Sequence, residues 1–531
     1  MTGAARRWSL TDAVFLALIA ASVLPVVLVR YPLSADYLNH LARLHILGSS
    51  PGAPVRQFYE IHWGLIPNLG VDLLWAILHP FASPETVMKG ALIGAIVALG
   101  LSVWFLHRSL FERTQPTLLL CAFCLLSLPI TAGLINFALG LPLTFLALGC
   151  WIRLGGEPSG KSLVLLNVLS VIAYFTHIAA LGALGLTISA YHCLQQPINA
   201  RAVLRRAAQL SPGFLAPAAL IIVHAIADRH GGTTDSGVHI VFAATKLFTL
   251  LAAFFTGSTK ADVAILCATG VIVILCRGPS APRLPAVLLL WVVVIAAVPS
   301  SINDAVYVDA RLAVVPVMLY LSSLAFRPAL LSGPILALLT MSLAIGRVAL
   351  LVPSLELHDA HVRSFRAIDD RVPRGARVLV AAVTRSGCGA DHTWSLLEEH
   401  LPSLLAIDRD AFVTTVFAGA GMQPVLWKAN MRGTARTDVI APWLATLEGL
   451  VSAAGRAQLA QQSPDVFQSV ESFQGWLEHY DYLAVRDCLP EQTPTPYLSL
   501  IARSDTYGLY RIVHPRPPPL NVYNPREATS H

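Results

Sequence analysis

ARRWSLTDAVFLALIAASVLPVVLVRYPLSADYLNHLARLHIL, residues 5–47, sets two readings side by side. The run Ala13–Val29 is apolar and follows Arg6 and Arg7 as a signal peptide would. It ends in VLVRYPLSAD with no small-x-small cleavage site, so it reads as a retained first membrane span. Just beyond it, Asp36, Asn39, His40 and Arg43 fall at i, i+3, i+4 and i+7 of a helix starting near Ser34. They share one face, and Leu38, Leu41, Leu44 and Ile46 mark the opposite one. A carboxylate, an imidazole and a guanidinium thus converge at the membrane surface.

The rest of the chain repeats the first of these patterns. Of its 531 residues 55% are hydrophobic and 13% charged, against roughly a quarter charged in an ordinary globular chain, and the mean hydropathy is +0.63. A soluble enzyme of this size does not carry that imbalance. Long apolar runs dominate to about Val352, and charge and proline return beyond Ser354, which divides the chain into a membrane bundle (1–353) and a soluble domain (354–531). A span needs about 20 apolar residues, fewer where a helix ends in a cavity. Candidate spans are 12–30, 86–106, 116–130, 134–152, 162–177, 178–194, 210–227, 258–276, 284–300, 311–326 and 328–350. That is about eleven helices, or thirteen if the amphiphilic stretches Leu69–Ala82 and Val241–Gly257 also cross; both read instead as interfacial.

The net charge of +6 is spread over short clusters between apolar segments rather than along a stripe, which argues for topology and against nucleic acid. With a cytoplasmic N-terminus, Arg6/Arg7, Arg108/Arg113, Arg153/Lys161, Arg201/Arg205/Arg206, Arg277/Arg283 and Arg327 all fall on the cytoplasmic side. The expected setting is therefore the cytoplasmic (inner) membrane, with the C-terminal domain outside the cytoplasm. Three outer loops follow: the long first loop 31–85, Asp228–His239, and Ser301–Arg311. The soluble part reads as mixed α/β: a helix in HDAHVRSFRAIDDRV ending at Pro373, and strands in RVLVAAV, in the DYLAVRDC stretch and in YGLYRIV. The tail PRPPP (515–519) is extended.

Six of the eight cysteines lie in apolar segments and behave as small hydrophobes. Cys388 and Cys488 follow the first and second strands; if those strands are neighbours, the two thiols come within disulfide reach in an oxidising compartment, the alternative being two unrelated thiols. The motifs GxxxxGK[ST], HExxH and GxSxG are absent.

Beside the bilayer, Asp36 could take a proton from a substrate hydroxyl or hold a divalent metal (Mg or Mn) that neutralises a phosphate leaving group; Ser34 or Asp36 could equally cap the helix. Arg311, at the outer mouth of a span, could grip a lipid phosphate with its planar fork or pair with Asp309 or Asp304. His177 sits where two spans meet and either faces a cavity or makes an interhelical hydrogen bond. Lys246 reads as a snorkelling lysine, Asn136 as a cap at a tight turn.

A cytoplasmic N-terminus, an acid in a long first outer loop, about eleven to thirteen spans and an outward C-terminal domain together resemble the GT-C type integral-membrane glycosyltransferases, which use polyprenyl-phosphate-linked or diphosphate-linked sugars. The resemblance covers the whole chain in architecture, but its specific motif spans only a few residues. It implies transfer of a sugar from such a donor to a glycan, lipid or protein acceptor, with Asp36 as base and His40, Arg43 and Arg311 assisting the phosphate. Many members add a second acid in the next outer loop, but TAGLINF (131–137) has none, and Asp72 in IPNLGVDLL is the nearby substitute or a plain interfacial residue. Membrane lipids are the constant partner. A transporter or flippase for a lipid-linked precursor, or a non-catalytic assembly protein, are the readings from other classes.

Overall fold

The computed structural model describes residues 8–230, 240–241, 246–302, 307–328, 331–382, 398, 400–418, 423–428, 431, 445–446, 476–486 and 497–513. Cys388, Cys488, Asp304, the stretch 231–239 of the expected loop Asp228–His239 and the proline-rich tail lie outside them.

The first span forms as Leu10–Leu28, and a capping box starts it: the Ser9 side chain accepts from the Asp12 backbone N–H, and Asp12 accepts from the Ser9 N–H. The same buried carboxylate accepts from Trp104 Nε1 at 2.7 Å and Thr114 Oγ1 at 2.6 Å, which ties this helix end to its neighbour Pro84–Leu110. Six helices are long and apolar enough to cross a membrane: Leu10–Leu28, Pro84–Leu110, Ile135–Arg153, Ala200–Ala227, Thr259–Cys276 and Gly333–Asp369. Pro116–Thr131, Gly160–Thr176, Ile178–Cys193 and Leu284–Ala297 are shorter apolar helices, and Val308–Ser323 carries Asp309 and Arg311 in its first turn. Ile274, Leu289, Val292, Leu338 and Ile345 are each at least 60% exposed on the outside of the bundle, a surface that lipid and not water would cover.

Pro116–Thr131, expected as a regular span, departs from that expectation. It runs as a 3₁₀ helix over Pro116–Cys124 and then a short turn of α-helix, Leu128–Thr131. Carbonyls released by that geometry need partners, and Arg347, buried in the long C-terminal helix, donates to the carbonyls of Phe123, Leu126 (2.8 Å) and Phe255 (2.7 Å). Among the described residues the two amphiphilic stretches form short helices, Gly70–Leu78 and the 3₁₀ segment Lys246–Phe254, each too short to cross. Lys246 does not snorkel: its ammonium lies 2.5 Å from Asp309, with Ser300 also on that carboxylate at 2.7 Å.

Gly333–Asp369 has 37 residues, about 56 Å of helix. It therefore runs past any bilayer core and carries the chain straight into the C-terminal sheet, where a separate helix was expected. That sheet has the order Leu498–Arg503, Tyr507–Ile512, Tyr482–Arg486, Arg377–Ala382, Phe412–Val413, with Ala445–Thr446 also on Arg377–Ala382. The central pair, Tyr482–Arg486 and Arg377–Ala382, is parallel in the register Ala382↔Arg486, and the next pair, Tyr482–Arg486 and Tyr507–Ile512, is antiparallel. The three strands expected from sequence are therefore consecutive neighbours. The helix end is pinned to them by Phe365 edge-on to Tyr507 (5.1 Å between centroids). It is pinned to the first loop by Arg366, which donates to both oxygens of Asp408 and to Tyr31 Oη. A second lock crosses between the long first loop and the C-terminal region, where Tyr59–Ile61 pairs antiparallel with Val425–Trp427.

On the same long helix, His358 and His361 turn their Nδ1 atoms onto one carboxylate, Glu398, at 2.9 and 2.8 Å. Burial pushes Glu398 up, but hydrogen bonds and charge from the two imidazoles outweigh it and hold the carboxyl below its usual 4.5. A depressed folded value means that this contact stabilises above pH 4.5 and is lost as pH falls through the folded value. Hydrogen exchange in residues 355–369 is therefore expected to accelerate on acidification below that point, and Glu398→Gln to remove the acid-dependent step. An unchanged acid response in Glu398→Gln would contradict this role.

Candidate functional site

The seat of Asp36 is built by the stretch TAGLINF, residues 131–137. The Asp36 backbone N–H donates to the Ala132 carbonyl at 3.1 Å, and Gly133, at φ +76°, turns the chain beneath it. An added Cβ on Gly133 would lie 2.6 Å from Ser34 Oγ and 2.9 Å from the Asp36 nitrogen. TAGLINF thus supplies no carboxylate but holds the one in the first loop. Gly133→Ala is expected to destabilise the fold by about 1–2 kcal/mol through its left-handed backbone and to displace Asp36. A thermal melt in detergent checks the first effect; an unshifted melt would mean the seat is more yielding than its contacts.

The first-loop helix forms as Tyr37–Gly48, and Asp36 stands at its N-cap position without making a side-chain cap; Ser34 Oγ has no hydrogen-bond partner among the described residues either. The capping alternative is therefore not the one adopted. Asp36 keeps a 20%-exposed side chain, with Oδ1 3.5 Å from Nε2 of His400. His400 lies 361 residues downstream of Asn39, whose amide reaches its Nδ1 at 3.1 Å. Asn39 also donates to the Thr415 carbonyl (2.5 Å) and accepts from the Phe417 N–H (2.7 Å). His40 and His400 both meet the Phe417 ring edge-on, at 5.8 and 5.0 Å. Burial, and then the Arg43 charge, hold His40 well below its ordinary value. Ser34 Oγ, His40 Nδ1 and Thr415 Oγ1 are buried around this pair without a protein partner among the described residues.

Arg43 and Asp72, expected to meet substrate, instead meet each other. Arg43 Nε and Nη2 clasp Asp72 Oδ1 and Oδ2 at 2.7 and 2.9 Å, Nη1 adds Gln423 Oε1 at 2.5 Å, and both charged side chains are 0% exposed. Neither can reach a ligand without breaking a bidentate pair in a dry site. Burial pushes the Asp72 carboxyl up, and the Arg43 charge and hydrogen bonds oppose it. Asn136 holds this arrangement: its Oδ1 accepts from the Val71 N–H at 2.8 Å and its Nδ2 donates to the Asn68 carbonyl at 2.6 Å, fixing the start of the helix that carries Asp72.

His177 separates the helices Gly160–Thr176 and Ile178–Cys193 and caps the second, its Nδ1 accepting from the Ala179 N–H at 3.0 Å. Its Nε2 lies 3.2 Å from Arg311 Nη1. Asp309, one of the two carboxylates that could have paired with Arg311, is engaged by Lys246 and Ser300. Asp36 is close enough for its charge to act on Arg311. The structure thus gathers Asp36, His177 and Arg311 from the sequence candidates and adds His400. Beside Ser34 a narrow apolar groove of about 40 Å³ lies between the first span and the long C-terminal helix, lined by Val26, Leu33, Leu92 and Leu351, with Ser34 and Thr131 also on its wall. Among the described residues no group of three or more His, Cys, Asp or Glu side chains is placed to hold a metal ion.

Fold and site together define the class: a helical, multi-pass membrane protein whose first inter-span loop and C-terminal sheet close over a shared polar junction. No protein-family model matches the chain, and no curated protein does so.

Proposed function

We propose that this chain is a membrane glycosyltransferase that moves a sugar from a polyprenyl-phosphate-linked donor to a glycan, lipid or protein acceptor. In this reading eleven segments cross the cytoplasmic membrane, the N-terminus is cytoplasmic, and the junction of first loop and C-terminal domain faces outward. One observation carries it: a partly exposed carboxylate on a rigid seat, Asp36, near enough to the buried guanidinium of Arg311 for the two charges to interact, and two residues from Ser34 on the wall of an apolar groove. The groove suits the hydrocarbon of a lipid donor. Its phosphate would then lie by Arg311, whose positive charge offsets the charge that grows as the anomeric C–O bond breaks. Asp36 takes the acceptor hydroxyl proton as that oxygen bonds to the anomeric carbon, and the phosphate leaves with the electron pair. Arg43 and Asp72 hold the scaffold and touch no reactant.

The test is transfer of radiolabelled sugar from a panel of polyprenyl-phosphate donors, in membranes carrying the wild type or Asp36→Asn at matched levels. Transfer by the wild type that disappears in the variant supports the reading. Absence of wild-type transfer with every donor moves the flippase reading ahead of it.

A further inference from the structure

Asn39 has one orientation that its surroundings accept. With Oδ1 on the Phe417 N–H and Nδ2 on the Thr415 carbonyl, both contacts pair a donor with an acceptor. Flipping the amide would set N–H against N–H and oxygen against oxygen. The second hydrogen of Nδ2 therefore points to His400 Nδ1, 3.1 Å away, and that nitrogen must be the acceptor. A neutral imidazole with Nδ1 unprotonated carries its proton on Nε2, the atom that faces Asp36 Oδ1. The 3.5 Å separation there is longer than a formed hydrogen bond, a looseness common at catalytic pairs without substrate.

We propose that His400, held as the Nε2–H tautomer by Asn39, is the positioning residue that orients Asp36 toward the acceptor. This rests on the glycosyltransferase reading and names a residue outside the membrane bundle as part of that site. His400 donates to Oδ1 and so leaves Oδ2 for the acceptor hydroxyl. The proton lost by that hydroxyl ends on Asp36 and passes to water; the imidazole keeps its own proton throughout, because Nδ1 faces a donor and cannot be protonated without breaking the Asn39 contact. The active unit is therefore composite: the carboxylate comes from the first loop, its orientation from the C-terminal domain. Phe417, against which both His40 and His400 rest, fixes the plane of the ring.

Two measurements test this. Nitrogen-15 spectra of the full-length protein labelled at histidine, with His400→Gln assigning the resonance, are expected to show His400 with a protonated Nε2 and a bare Nδ1. A protonated Nδ1 overturns the proposal whatever the transfer activity. In the transfer assay, His400→Ala is expected to lower kcat by about 10–100-fold with KM little changed, as for a reacting group left about 1 Å out of place. Glutamine places an amide N–H near the position of Nε2, so His400→Gln is expected to recover kcat to within about threefold with the same limbs in the pH–rate profile. Wild-type kcat in His400→Ala while Asp36→Asn is inactive would overturn the positioning role alone, and a His400→Gln as inactive as Asp36→Asn would make His400 the proton acceptor. Absence of transfer by the wild type would remove the glycosyltransferase reading, and with it the catalytic purpose of the pair.

Discussion

Asp36→Asn is expected to reduce sugar transfer by about 10²–10⁴-fold, the usual contribution of a positioned general base. The substitution is near-isosteric and keeps an Oδ1 able to accept from His400. Asp36 makes no helix cap, and its place is set by the backbone contact to Ala132, which the variant retains. The fold should therefore survive, and thermal melts in detergent should coincide to within about 1 kcal/mol, the scale of a lost exposed interaction. What the amide cannot do is take a proton as the acceptor oxygen attacks. Transfer at the wild-type rate in a correctly folded Asp36→Asn would remove Asp36 from the chemistry.

The second large effect falls on stability. Arg43→Met is expected to cost about 3–5 kcal/mol, because it strands the Asp72 carboxylate in a site that water does not enter. Asp72→Leu should cost as much by stranding the guanidinium, with Gln423 left as one of its few hydrogen-bond partners. Removing both charges together, in Arg43→Met/Asp72→Leu, should recover most of the loss, since the pair repays little more than its own desolvation. Denaturation of the two single variants and the double variant gives the coupling directly. Additive losses would mean that the two side chains act separately, against the bidentate geometry.

These effects show why some of the site was readable from the chain and some was not. Asp36, His40 and Arg43 stand within one helical repeat, so their shared placement follows from 3.6-residue periodicity alone. Asp36 and His400 come from distant parts of the chain, and a 361-residue separation between Asn39 and His400 leaves no local pattern to read. Arg43 and Asp72 were visible as charges near a membrane surface, but whether each faced a ligand or the other depended on where the helix Gly70–Leu78 lands. That is set by Asn136 and by the backbone contact from Leu69 to Phe175. Lys246 shows the same limit: snorkelling is the local expectation for a lysine beside lipid, and a buried aspartate on another helix overrode it.

Apolar length and β-branched runs are local properties. They determined that this chain builds a helical membrane bundle, and they located the strands Arg377–Ala382, Tyr482–Arg486 and Tyr507–Ile512. Tyr59–Ile61 and Val425–Trp427 are three residues each, too short for any period, and exist as strands because each completes the other's hydrogen bonds. The same holds for Pro116–Cys124, whose apolar composition is that of a span while its 3₁₀ form depends on Arg347 to occupy the released carbonyls. What only the tertiary structure decided was the pairing of polar groups, since a buried donor or acceptor must find a partner wherever the chain brings one. That pairing locked Arg43 to Asp72 and brought His400 to Asp36.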